Sequence, residues 1–238
     1  MDVDELLRRQ DGVISRSQAL DGGLRDHEIR RLLRRNEWAR VHTGVYVQHT
    51  GPLTWSQRAW AAVLYAAPAA LCLESALTGE GAVIHVAVSR DRGVLAEPPG
   101  VRIHHLTHLQ ERALWHVGPP RLRVEEAALD VACQAISEFD AIAVLADACQ
   151  SRRTTAPRLL QALDARQRVR RRRWLRAVLV DLAEGTCSVL EHGYLNRVER
   201  AHGLPRAARQ MRSTSSEGVT YRDAEYAQRL VVELDEVE

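Results

Sequence analysis

The chain has 238 residues, a hydrophobic fraction of 45%, an aromatic fraction of 5% and a formal net charge of +2. That length exceeds one typical domain and suggests two or three small ones, with cores filled by Leu, Val and Ala rather than by aromatic rings. No stretch approaches the roughly 20 apolar residues of a membrane span, and the acidic start Met1-Asp2-Val3-Asp4-Glu5 lacks the apolar region of a secretory signal. Cys72, Cys133, Cys149 and Cys187 show neither CxxC pairing nor a His partner at zinc spacing, so free thiols in a cytoplasmic protein are expected.

The net charge does not announce a polyanionic partner, so its distribution matters more. Lys is absent, and every basic side chain apart from His is Arg. Arg suits bidentate contacts to phosphate and guanine. A general compositional preference for Arg and Ala explains the same fact without any partner.

In chain order, residues 3–9 read as a first helix that packs Leu6 and Leu7. Ser15 is a good N-cap for a short helix through Ala19 and Leu20, which Asp21-Gly22-Gly23 then breaks. The next helix spans roughly 25–35, although Arg25 is a poorer cap than Ser or Thr. Ile29, Leu32 and Leu33 share one face at i, i+3, i+4 spacing, and His27, Arg30, Arg31 and Arg34 share the opposite one. Residues 38–41 and 45–47 read as strands around His42-Thr43-Gly44. Two helices, a tight turn, an arginine-faced second helix and a small hairpin describe a winged helix-turn-helix over 1–48. Such a second helix normally enters the DNA major groove. A solvated charged face is the ordinary alternative.

A linker is expected at 49–52. A mixed α/β region follows over 53–165, with helices over 54–65 and 71–77 separated by Pro68. Strands over 82–89 and 101–106 show period-two alternation. His104 and His105 fall on opposite faces of the second strand, which argues against one shared metal ion with His108. Residues 125–133, 140–149 and a segment from Pro157 through Leu163 read as helices. The run 166–176 (RQRVRRRRWLR) is the densest basic stretch. It suits either a nucleic-acid backbone or a solvated linker before an apolar helix over 174–182.

The C-terminal region, 174–238, carries carboxylates. A helix begins at Ser188-Val189-Leu190-Glu191, which is also a capping box. Strands are expected over 209–214, 219–226 and 230–235. Asp223, Glu233 and Asp235 could then converge at one end of a hairpin. Clustered carboxylates repel unless a cation neutralises them, and Mg²⁺ would suit them and activate water for phosphodiester hydrolysis.

The N-terminal motifs GVISRSQAL, HEIRRLLRR and WARVHTGVYV resemble the winged-helix domain of AbiEi-type antitoxins from bacterial toxin–antitoxin systems. That resemblance implies binding of double-stranded promoter DNA through His27, Arg30, Arg31 and Arg34, with Arg40 and His42 on the wing. It also implies autoregulation and a cognate toxin partner. The middle region resembles the same proteins more diffusely, around Leu129-Asp130.

The order of Glu on a helix, Asp on a strand and Glu-x-Asp on the next strand resembles the PD-(D/E)XK nuclease superfamily. It is closer to the domain related to very-short-patch-repair endonucleases. The residues carrying it are Ser188, Glu191, Gly203-Leu204-Pro205, Gln210, Tyr221-Arg222-Asp223 and Val231-Val232-Glu233-Leu234-Asp235. It implies Asp223 and Glu233 as metal ligands, Asp235 nearby and Glu191 in support. Only Glu236-Val237-Glu238 follow Asp235 and the superfamily's Lys is missing, so an incomplete, inactive nuclease-like domain is expected. The expected class is α+β: a DNA-binding regulator, or alternatively a Mg²⁺-dependent endonuclease delivered by its winged helix.

Overall fold

In the computed structural model, residues 2–184, 194, 198–199, 201–205, 207–215, 218–227 and 230–232 are described. The fold is α+β and divides into two compact units, 1–127 and 128–238.

The first unit begins with α1 (Val3–Arg9), β1 (Val13–Ser15), α2 (Arg16–Asp21), α3 (Asp26–Arg34), β2 (Ala39–His42) and β3 (Val45–Val47). The three strands form one antiparallel sheet in the order β1-β3-β2. This is winged-helix topology, with α2 and α3 as the helix-turn-helix and β2–β3 as the wing. β1 falls between elements that the sequence does make visible. It is three residues long and wholly buried, so it shows no polar alternation to betray it.

Local chemistry explains the entry to α2. Ser15 Oγ accepts from the Gln18 amide at 3.2 Å, and Gln18 Oε1 accepts from the Ser15 amide at 3.0 Å, a complete capping box. The carboxamide of Gln18 pairs with that of the buried Gln10, whose Nε2 also donates to the Val13 carbonyl at 2.9 Å. A side chain that would otherwise be an unsatisfied polar group is thereby bonded between α1, β1 and α2.

Val3, Leu7, Ile14, Ala19, Ile29, Trp38 and Tyr46 form the core beneath α3, flanked by Leu20, Leu24, Leu32 and Leu33. Trp38 and Tyr46 stack with ring centroids 5.9 Å apart. Ile29 is 2% exposed, so its burial contributes on the order of 1.5–3 kcal/mol to holding α3 in place.

The other side of the wing sheet is also covered. Val13, Val45 and Val47 pack with Ala61, Trp60, Leu64 and Tyr65 of α4 (Trp55–Tyr65). Thr54 and Gln57 form the capping box of α4, and Gln57 Nε2 reaches back to the Asp11 carbonyl at 2.9 Å. Residues 49–52 are therefore a connection inside one unit, joined by a shared core across it.

The rest of this unit is a five-stranded mixed sheet in the order β6-β5-β4-β8-β7. Its strands are β4 (Ala69–Leu71), β5 (Ile84–Ser89), β6 (Val101–Leu106), β7 (Ala113–Leu114) and β8 (Arg121–Leu122). The helices α5 (Leu73–Leu77) and α6 (Leu109–Arg112) lie between them in sequence. The single helix expected over 71–77 is corrected to a strand followed by a shorter helix. The Leu71 amide donates to Pro120 O at 2.8 Å and the Cys72 amide to His85 O at 3.0 Å. Those sheet bonds hold the segment extended, and Leu73, the first residue of α5, takes a left-handed φ of 50°.

The second unit holds most of α7 (Val124–Gln134), then α8 (Glu138–Gln150), α9 (Ala156–Ala165) and α10 (Arg172–Ala183). Pro157 lies in the first turn of α9, where its missing N–H has no helical partner to lose. Leu159, Leu163, Leu175 and Leu179 are fully buried, as is Val178. A second antiparallel sheet, in the order β11-β10-β9, comprises β9 (Ala208–Ser215), β10 (Gly218–Glu225) and β11 (Val231–Val232). No helix among the described residues is long and apolar enough to cross a membrane.

Candidate nucleic-acid interface

The nine residues of α3 divide cleanly around the helix axis. Ile29, Leu32 and Leu33 pack inward, while His27, Arg30, Arg31 and Arg34 are exposed on the opposite side. Two carboxylates fix the start of the helix. Glu28 accepts from the Arg25 amide at 2.8 Å, doing the capping work that the Arg25 side chain cannot. That backbone hydrogen bond, aided by Arg25, His27 and Arg31, holds the Glu28 carboxyl below its usual value. Both carboxylate oxygens of Asp26 accept from Arg16 Nη2, at 2.7 Å each, tying α3 to α2 across the turn. This tie was not visible in the sequence, because residues ten apart on two helices share no periodic signal.

Arg16, Arg25 and Arg35 thus have carboxylate partners. Among the described residues Arg30, Arg34 and Arg40 make no ion pair or hydrogen bond, and Arg31 and His27 meet Glu28 only through space. The exposed side of α3 therefore presents guanidinium groups whose donors face water, and a bidentate acceptor would satisfy them.

On the wing, Thr43-Gly44 closes a two-residue hairpin in which Gly44 has φ +72°. Arg40 is exposed beside a bulge between Arg40 and His42. His42 is placed differently. Its ring is half-buried, 5.5 Å from that of Tyr65 on α4, and burial pushes its pKa down, so it is neutral at pH 7. The structure thus groups His27, Arg30, Arg31 and Arg34 on one helix face, places Arg40 on the adjoining hairpin, and turns His42 inward.

Of the carboxylates, Asp223 lies in β10; Glu191, Glu233 and Asp235 lie outside the described residues. β10 does run antiparallel beside β11, with Ala224 opposite Val232 and Glu225 opposite Val231. Among the described residues no group of three or more His, Cys, Asp or Glu is placed to hold a metal ion. His104 pairs instead with His85 of β5, Nε2 to Nδ1 at 3.0 Å, and His105 is exposed. A buried cluster in the second unit escaped the sequence reading. The Tyr226 hydroxyl donates to Glu199 at 3.0 Å and lies 3.0 Å from the Tyr194 hydroxyl. Burial first, then these two bonds, push the Tyr226 phenol up.

This topology and helix face define a winged helix-turn-helix of the kind found in DNA-binding regulators. Residues 1–47 match the family described as "Transcriptional regulator, AbiEi antitoxin", which supports an antitoxin-type regulatory role for this part of the chain. The chain is also similar to the crystal structure of the RV2827C protein from Mycobacterium tuberculosis. That similarity has a TM-score of 0.46 and 18% identity, over 76% of this chain and 75% of that one. A comparison with curated proteins finds no match.

Proposed function

We propose that the first unit binds double-stranded DNA with α3 in the major groove and the β2–β3 wing against the flanking backbone, and that the chain regulates transcription of its own operon as an antitoxin. The observation that carries this reading is the row of exposed, unpaired arginines on the side of α3 opposite its buried stripe. A helix is about 10–12 Å across and the major groove about 12 Å wide. Arg30 and Arg34 would read guanine edges or phosphates, Arg31 and His27 would line the same groove wall, and Arg40 would contact a phosphate. The setting would be the cytoplasm, with the cognate toxin as a protein partner.

The test is a titration of duplex DNA from upstream of the chain's own gene against a scrambled duplex. Each bidentate Arg–guanine pair is worth about 1–3 kcal/mol, so Arg30→Ala with Arg34→Ala should weaken binding at least tenfold and narrow the preference for the upstream duplex. Unchanged affinity and preference would sink the proposal.

A second reading rests on the adjacency of β10 and β11, which is the strand order a carboxylate site would need. On this reading Asp223 and Glu233 hold Mg²⁺, with Asp235 and Glu191 in support, and the winged helix delivers a nuclease. The absence of any lysine from the chain favours the inactive form. With Mg²⁺ or Mn²⁺ the protein should leave supercoiled plasmid intact. Nicking that disappears in Asp223→Ala would establish the enzyme instead.

A further inference from the structure

The basic run before α10 separates into two sets of arginines with different employment. Arg166 is bonded to Asp130 at 2.8 Å, with both side chains mostly buried. Arg172 donates to the carbonyls of Leu163 at 3.0 Å and Asp164 at 3.1 Å, and also to that of Arg166. Arg176 is paired with Asp164. Arg172 and Arg176 hold the α9–α10 connection against α9, and Arg166 ties it to α7. Arg168, Arg170, Arg171 and Arg173 are exposed, and among the described residues their side chains make no ion pair or hydrogen bond. No acidic residue occurs between Asp164 and Asp181, and Asp164 is already engaged by Arg172 and Arg176. Among the described residues no carboxylate is paired with any of these four arginines.

The backbone presents the set in a fixed loop. Arg171 is the N-cap of α10 with φ 56°, a left-handed conformation that Gly or Asn adopts more easily. The Arg170 carbonyl accepts from Cys133 Sγ at 3.9 Å, a further tie to α7. A solvated linker of the kind the sequence also allowed would not be pinned at both ends by four side chains.

We infer that Arg168, Arg170, Arg171 and Arg173 form a second nucleic-acid contact, in the second unit, that binds duplex phosphates without reading sequence. The inference rests on the DNA-binding reading of the first unit. Four exposed guanidinium groups on one short connection offer N–H donors that phosphate oxygens would satisfy bidentately. Their contribution is electrostatic and falls steeply with salt.

The test uses the full chain and about 30 base pairs of duplex, upstream or scrambled, titrated at salt concentrations between about 50 and 200 mM. Replacing all four arginines by Ala removes up to four phosphate contacts. The slope of log affinity against log salt should then become shallower by about 3–4, the wild-type excess loss over that range being about a hundredfold. The preference for upstream over scrambled duplex should persist. The same four positions changed to Lys should keep the slope. The Arg30→Ala, Arg34→Ala variant runs in parallel. If it loses preference while the loop variant keeps the wild-type slope, the second contact is overturned and the first stands. If the α3 variant changes nothing while the loop variant flattens the slope, the reading of α3 fails and the loop contact stands. An unchanged slope together with lost binding of poly-glutamate would overturn the inference in favour of an acidic protein partner.

Discussion

The turn between α2 and α3 is braced by α1, and one substitution isolates that contact. Gly22 follows α2 with φ −81° and ψ 1°, a conformation any L-residue adopts, so alanine there meets no backbone strain. Space is the obstacle. A Cβ on Gly22 would lie 2.6 Å from Val3 Cγ2, 3.1 Å from the Gln18 carbonyl oxygen and 3.4 Å from the Val3 amide nitrogen. Carbon atoms prefer about 3.5–4.0 Å, so the Val3 side chain or α1 with it must give by roughly 1 Å, and Val3 is only 8% exposed. Overpacking of this kind costs about 1–3 kcal/mol, offset by about 0.4–1 kcal/mol from the stiffer unfolded chain. Gly22→Ala should therefore destabilise the winged helix by about 1–2 kcal/mol. Hydrogen exchange of the amides in 1–47 reads this local free energy directly. Val3→Ala removes the clashing methyl, so the double variant should be more stable than additivity predicts by about 1 kcal/mol. Gly23→Ala is the control, because its φ of +101° makes the cost one of backbone strain with nothing within 4 Å. It should show no coupling to Val3→Ala. Strict additivity of Gly22→Ala and Val3→Ala would refute the steric account.

Two further outcomes follow from charges. Burial lowers the His42 pKa from its ordinary 6.5, so the unfolded chain binds the proton first and stability falls as pH drops below about 6.5 toward the folded value, then levels. His42→Phe should keep the packing on Tyr65 and shrink the fall in melting temperature between pH 7.5 and pH 5; an undiminished fall would contradict the assignment. Asp130 and Arg166 are bonded at 2.8 Å with side chains 17% and 14% exposed. Removing the carboxylate leaves a mostly buried cation, so Asp130→Ala should cost about 3 kcal/mol in denaturant unfolding of the second unit. A loss under about 0.5 kcal/mol would mean the pair is solvated.

The winged helix was legible because its signals are local. Ser15 with Gln18 caps α2, glycines break the chain after it, and the apolar spacing of α3 names its inner face. The strands that escaped are short and buried. β4 (AAL) has three buried residues in a row, and β7 and β8 have two residues each. A two- or three-residue strand buried on both faces carries no period, and it is recognisable only by the bonds its backbone makes, such as Leu71 to Pro120. The inward turn of His42 was hidden for a related reason. Alternation on the hairpin is reset by the bulge beside Arg40, and Tyr65, its neighbour in space, is 23 residues away in sequence.

Arginine posed a different problem. Because the chain uses no lysine, the residue type carries no information about which cations bind a polyanion and which hold the fold. Pairing supplies it. Arg16 is spent on Asp26, Arg112 on Glu126, Arg166 on Asp130 and Arg176 on Asp164. Arg30 and Arg34 on α3, and the four arginines before and within the first turn of α10, are exposed without such partners among the described residues. An exposed ion pair is worth about 0–1 kcal/mol to the fold. Leaving a guanidinium unpaired therefore sacrifices little stability, while each phosphate it could neutralise steepens the salt dependence of binding by about 0.9. The proposed DNA contacts accordingly fall on arginines whose donors the fold leaves unbonded.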